Sequence, residues 1–199
     1  TAMRFLTALL AIKTNKQFVI TGSNRMKERP IKILVQALNK LGANISYFDK
    51  KGFPPLIIKG QEIFGGEISL SSNISSQYIS ALMLIAPILK NGLLINLEGK
   101  ITSKPYLEMT LAILKKIGIN CYFKNNIISI EHCSKINNSA ISIESDWSSV
   151  SYFYSIVALS NAAELNIGTF YKSSIQGDVK LYEIYAKLGV ETKFIKSSS

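Results

Sequence analysis

Histidine occurs once in this 199-residue chain, and cysteine only twice. With His132 as the only histidine, a Ser-His or Cys-His nucleophile pair has little to build on. Zinc would also want more ligands, so His132 reads as structural and no metal site is expected. Cys121 and Cys133 lack a C-x-x-C spacing. They fall in neighbouring expected strands around an Asn125-Asn126 turn whose register does not set them opposite, so both read as free, partly buried thiols. Long apolar runs are missing too: none approaches the ~20 residues that a membrane-spanning helix needs. No basic, then apolar, then small pattern opens the chain, where Thr1 stands inside a helical pattern, and a cytoplasmic protein is the expectation. Acidic residues are scarce, 13 against 23 lysines and arginines for a net charge of +10. No pair of carboxylates converges to act as acid and base, and no catalytic residue is assigned.

What is present is apolar. Hydrophobic residues make up 47% and charged residues 18%, enough for a sizeable core and too much for a disordered tail. The lysines are scattered, and no RNP-type aromatic motif or zinc knuckle accompanies them. A basic nucleic-acid-binding module is one alternative. A diffusely positive surface drawing in small anions is another, and it is preferred, with neither nucleic acid nor membrane as partner.

The chain repeats. "MRFLTALLAI", "SQYISALMLI" and "SYFYSIVALS" align Phe5, Tyr78 and Tyr152, while "VQALNKLGANISYF", "LAILKKIGINCYF" and "YEIYAKLGVETKF" align Gly42, Gly118 and Gly189. Both markers share a period of roughly 74 residues. Each unit has a first helix that is apolar nearly all round, then a short strand ("QFVITG", "GLLINLEG", "ELNIGTF"). A second, amphipathic helix follows and stops at a glycine suited to a left-handed cap. A strand, a turn ("DKKGFPP", "KNN") and a return strand complete the unit. Further units open on "GEISL" and "AISIE". The expected class is α/β, in repeated β-α-β-α-β-β units. Helices apolar on every side must be covered on every side, which places them at a centre with strands and amphipathic helices outside; an ordinary two-layer α/β sandwich is the alternative. Uncovered, their faces favour self-association or a non-catalytic scaffold.

Polar residues gather where the helices begin. Ser75, Ser76 and Gln77 precede or open the second unit's apolar helix; Arg25, Lys27 and Arg29 stand before Pro30, and Ser103 and Lys104 before Pro105. Free N–H groups and the positive end of the helix dipole lie there, suited to phosphate or carboxylate. Serine in that position is also an ordinary cap, as is Asp146 before "WSSVSYF". Repetition of cationic or hydroxylated helix starts points to a polyanionic small molecule, whose ligands must then gather around one hollow.

"TAMR", "RMKERPI", "PPL", "SSQ", "SKPY", "DWSSVSYF" and "QGD" resemble, in order and spacing, the segments of the 5-enolpyruvylshikimate-3-phosphate (EPSP) synthase family, from Thr1 to about Ile195. The sister family of UDP-N-acetylglucosamine enolpyruvyl transferases does not carry this set. The resemblance implies an inside-out α/β lobe of such units, with parallel buried helices and outer sheets. Residues 1–145 would be two units of one lobe, and 146–199 the first unit of a second. It implies a transferase of the shikimate pathway to chorismate and the aromatic amino acids, with phosphoenolpyruvate and shikimate 3-phosphate as substrates and no cofactor. By matching motif, Ser75, Ser76, Gln77, Ser103 and Tyr106 would bind shikimate 3-phosphate. Arg25 and Gln77 would meet phosphoenolpyruvate, with Arg4 joining them through "TAMR". Phe5 stands where the family has proline. The family's segments before "TAMR" and after the third unit are missing, so the resemblance implies a central fragment, incomplete at both ends and inactive alone.

Overall fold

In the computed structural model, residues 1–101, 103–136 and 140–195 are described. The chain divides into two units, Thr1–Ser139 and Ala140–Ser199.

In the first unit the order is α1 (Ala2–Ala11), β1 (Lys16–Ile20), α2 (Asn24–Lys27), α3 (Lys32–Lys40), β2 (Asn44–Tyr47) and β3 (Leu56–Gly60). After these come β4 (Gly66–Ser71), α4 (Ser76–Ile85), a 3-10 turn at Ala86–Ile88, β5 (Leu93–Glu98), α5 (Lys104–Lys116), β6 (Cys121–Lys124) and β7 (Ile127–Ile130). One sheet has the order β1-β3-β2 and the other β4-β5-β7-β6. Among the described strands only β4 and β5 run parallel, pairing Gly66 with Leu93 through to Ser71 with Glu98; the other neighbours are antiparallel. Matching β1, β2 and β3 to β5, β6 and β7 reproduces one order in both sheets, so the repeat read from the sequence is a repeat of topology.

Local chemistry explains the joints. Lys124 pairs with Ile127, leaving a two-residue hairpin in which Asn125 and Asn126 both have positive φ, the conformation that such hairpins demand and asparagine tolerates. The cap glycines repeat as well. Gly42, Gly118 and Gly189 have φ of 105°, 87° and 85°. The next N–H in each case returns to the carbonyl five residues earlier, Ala43 to Leu38, Ile119 to Leu114 and Val190 to Tyr185, the Schellman closure of a helix. One expected start differs. Pro105 lies in the first turn of α5, but Pro30 lies before α3, which begins at Lys32, while Arg25 and Lys27 form the separate turn α2.

The core of this unit surrounds α4, where Tyr78 to Met83 and Ile85 are all buried and Leu84 alone faces out. α1 packs on one side of α4 and α5 on another. Between α4 and α5 the buried hydroxyls of Ser80 and Thr110 lie 3.0 Å apart, and Thr110 also donates to the Tyr106 carbonyl. α1 is covered less completely, with Leu6 and Leu9 exposed.

The second unit holds α6 (Trp147–Leu159), a 3-10 turn at Gly177–Lys180 and α7 (Leu181–Ala186). Trp147, Val150, Tyr154 and Val190 form its small core, with the Phe170 ring edge-on to Trp147 at 5.2 Å. The strands expected over 140–144, 164–170 and from Val190 do not form among the described residues. Ser145 N–H bonds to the Thr169 carbonyl, and no further ladder rung joins those segments. A pair of strands needs consecutive rungs and a third strand or a packed helix to be stable; β7 braces β5 in the first unit, and among the described residues of this unit no strand does so. Nor is α6 covered on every side within its unit, since Tyr152, Phe153, Ile156 and Leu159 are exposed.

Asp146 is the structural cap that the sequence indicates. Its carboxylate accepts the Ser148 N–H at 2.9 Å and the Ser149 hydroxyl at 2.6 Å. The Ser149 hydroxyl, followed by the Ser148 N–H, holds this carboxyl below its ordinary range. A lowered carboxyl stabilises the fold at pH above its unfolded value and loses that contribution as pH falls through its folded value. Asp146→Ala is expected to cost about 0.5–2 kcal/mol near pH 7. The difference from the unsubstituted chain should shrink on acidification. Urea unfolding read by fluorescence of Trp147, the only tryptophan, measures it beside the substitution; equal midpoints at pH 7 would show that the cap contributes nothing.

Candidate functional site at the helix starts

Parallel pairing decides where the loops go. Because β4 and β5 run the same way, Ser71 and Glu98 end at one edge of the sheet. Ser72 continues the contact, its N–H donating to Glu98 O and its hydroxyl to Lys100 O at 2.8 Å. The chain then enters α4 through Ser75 and α5 through Ser103. The Ser80–Thr110 contact keeps the two helices together just inside.

α1 begins at the same place. Arg4 donates from Nη1 to Gln77 Oε1, and Gln77 Nε2 donates to Thr1 Oγ1 at 3.1 Å. The Arg4 guanidinium lies 5.0 Å from the centre of the Tyr78 ring. The Tyr78 hydroxyl donates to the Pro30 carbonyl at 2.6 Å, drawing the approach to α3 against the first turn of α4. Between them is a small hollow, open to solvent and of about 10 Å³, lined by Thr1, Met3, Arg4, Met26, Arg29, Pro30, Ile31 and Pro54.

The sequence-derived residues fall as follows. Arg4 and Gln77 are in contact. Ser75 and Ser76 are half-buried at the start of α4, and half-buried Ser103 precedes α5 at the same sheet edge. Tyr106 is half-exposed in the first turn of α5. Arg25 is exposed on α2; its neighbour Met26 and then Arg29 line the hollow, and Arg25 does not. Sequence reasoning missed Thr1 and gave no role to Tyr78. A Thr-x-x-Arg spacing at a helix start was the available signal for Thr1; nothing local signals a bond spanning 48 residues.

Serine chemistry separates caps from the rest. Ser23 and Asp146 accept a backbone N–H from their own helices, whereas Ser75 and Ser103 occupy the same position and make no side-chain cap bond. Their hydroxyls and the N–H groups of Ser76, Gln77 and Lys104 are therefore available to an anion; Pro105 has no N–H, and the Tyr78 and Tyr106 N–H groups donate to the Ser75 and Ser103 carbonyls. Positive charge there is not neutralised internally: among the described residues no arginine lies within 4.0 Å of a carboxylate. Lys104 is partly offset by Glu108 at 3.1 Å. The thiols lie elsewhere. Burial pushes the Cys121 thiol up, with Lys115 opposing, and a protonated thiol is a poor nucleophile. His132 Nδ1 lies 3.0 Å from the Leu89 carbonyl. Among the described residues no three of His, Cys, Asp and Glu cluster to hold a metal ion, and no helix is long and apolar enough to cross a membrane.

Comparison with known proteins supplies a family. The family model described as EPSP synthase (3-phosphoshikimate 1-carboxyvinyltransferase) matches residues 1–198. A 3-phosphoshikimate 1-carboxyvinyltransferase of Bacteroides fragilis (strain YCH46) is 45% identical over 197 residues, covering 99% of this chain and 48% of that protein. Its counterpart in Shewanella piezotolerans is 38% identical, covering 98% of this chain and 46% of its own length. The chain thus spans about half the length of the curated relatives it matches. Among solved structures, EPSP synthase from Acinetobacter baumannii shares the fold at a TM-score of 0.65 and 24% identity. That match covers 79% of this chain and 34% of the other.

Proposed function

This chain belongs to the EPSP synthase family, and on that premise we propose that it helps transfer the enolpyruvyl group of phosphoenolpyruvate to shikimate 3-phosphate. The 5-hydroxyl gives up its proton to a base as its oxygen adds to C2 of phosphoenolpyruvate, while the C2–C3 double bond opens and C3 takes up a proton. The tetrahedral adduct then loses phosphate from C2 and a proton from C3, restoring the double bond. Ser75, Ser76 and Ser103 hold the shikimate phosphate through their hydroxyls and the N–H groups behind them, with Tyr106 bordering the ring. Gln77 lies between the two substrates. Arg25 pairs with phosphoenolpyruvate, a guanidinium fork suiting its phosphate or carboxylate better than a lysine would. Arg4 orients Gln77.

One observation carries this reading: the serines that open α4 and α5, at one sheet edge, leave their hydroxyls unused for capping. The experiment is thermal unfolding of the chain with shikimate 3-phosphate at ten times its dissociation constant. A single site stabilises by about 1.4 kcal/mol at that excess, a rise of about 3–6 °C for a chain of this size. Shikimate, lacking the phosphate, should give no rise at the same concentration, and Ser76→Ala or Ser103→Ala should reduce it. Equal shifts with shikimate and its phosphate, or no shift with either, would overturn the assignment.

A further inference from the structure

Three residues occupy the same place in the repeat: Phe5, Tyr78 and Tyr152. Phe5 has no hydroxyl, and the Tyr152 side chain is exposed. Tyr78 is buried, 6% exposed, and its hydroxyl has a partner from another element, the Pro30 carbonyl at 2.6 Å. The ring therefore answers the packing needs of the position, and the hydroxyl does something packing does not require.

We propose that Tyr78 is a positioning residue for the hollow beside α1, holding Arg4 with its ring and the arginine-bearing segment 25–31 with its hydroxyl. The Pro30 carbonyl belongs to the peptide joining Pro30 to Ile31, directly after Arg29. Fixing that oxygen fixes the end of the segment whose start is fixed by the Ser23 cap on Met26. Its far side is held by the Ile31 N–H on the Gly52 carbonyl at 2.9 Å. Arg29 lies between these anchors and lines the hollow. The ring face opposite Arg4 attracts the guanidinium electrostatically while Gln77, the preceding residue, accepts from it. Tyr78 thus sets two arginines from different elements around one space before any anion arrives, which removes an ordering cost from binding. The anion is phosphoenolpyruvate; the reading given above pairs it with Arg25, on the same 25–31 segment but outside the hollow's lining, and the inference adds Arg4 and Arg29 to that pairing and rests on that reading for the ligand alone.

Tyr78→Phe keeps the ring and deletes the hydroxyl, so it separates the two contacts without emptying the core. Hydrogen exchange should become about 2- to 10-fold faster at the Arg29 and Ile31 amides, the loss of one hydrogen bond. The nitrogen-bound proton resonance of the Arg4 guanidinium should keep its ring-current shift in Tyr78→Phe and lose it in Tyr78→Leu. The dissociation constant for phosphoenolpyruvate, measured with shikimate 3-phosphate present, should rise by a similar factor in Tyr78→Phe. Unchanged exchange at Arg29 and Ile31 in that variant overturns the inference, as does exchange that quickens while affinity stays the same. An unsubstituted chain that binds no phosphoenolpyruvate, yet shows the exchange difference, removes the ligand reading and supports the positioning role.

Discussion

Gly65→Ala should destabilise the first unit by about 2–4 kcal/mol, far beyond an ordinary loss of glycine flexibility. Gly65 has φ of 79°, and a Cβ there would stand 2.1 Å from the Gly92 carbonyl oxygen and 2.9 Å from Leu89 Cβ. That carbonyl accepts the Gly66 N–H, the first bond of the parallel β4–β5 pair. Neither atom is the free end of a flexible side chain, so the strands must part. Their other ends carry Ser72 to Ser76 and the approach to Ser103, so any response to shikimate 3-phosphate should weaken as well. Gly66→Ala provides the contrast. Its φ of 112° is equally left-handed, but a Cβ there meets nothing within 4 Å; only the backbone strain of about 1–2 kcal/mol applies. Urea unfolding followed by far-ultraviolet circular dichroism compares them. Equal midpoints for the two variants would show that the close approach of Gly65 to Gly92 does not hold this edge.

Leu82→Ala should cost about 2–5 kcal/mol, and Leu84→Ala, two residues along the same helix, well under half of that. Leu82 is fully buried and Leu84 is 43% exposed. On an ordinary surface helix the apolar stripe is one-sided and the rest faces water. In α4, however, Tyr78, Ile79, Leu82, Met83 and Ile85 point in different directions and are all buried, with α1, α3 and α5 packed around the helix. Removing the Leu82 side chain leaves a void that neighbours on several sides cannot all collapse into, so the loss lies in the upper part of the range. A Leu82→Ala cost no greater than that of Leu84→Ala would mean that α4 is not the axis of this core.

The amphipathic helices, their glycine caps and the Asn125-Asn126 hairpin were legible because each obeys a local rule. Positive φ at Gly42, Gly118 and Gly189 follows from a helix that must end, whatever surrounds it. The Asp146 cap was legible for the same reason. The strands expected over 140–144 and 164–170 show the limit of this logic. Alternating apolar residues offer one face to a core, but a strand exists only if its rungs find a partner, and among the described residues the Ser145–Thr169 bond is the only backbone rung between those segments. "ELNIGTF" reads as well as "GLLINLEG" by pattern, and β7 beside β5 makes the difference.

The site divides along the same line. Residue types and spacing alone placed hydroxyls, an amide and guanidinium groups at helix starts, because capping and dipole effects act within one turn. Whether Ser75 and Ser103 cap their helices, as Ser23 does, was a matter of side-chain rotation decided by packing. That Arg29 lines the hollow while Arg25 faces solvent depends on where one short turn, α2, is carried by the chain around it. The contact of Arg4 with Gln77, 73 residues apart, and of Tyr78 with Pro30 exists only because α1 and α3 are laid against α4. Bonds of that kind leave no trace in a local pattern, since their energy depends on geometry that distant segments impose on one another.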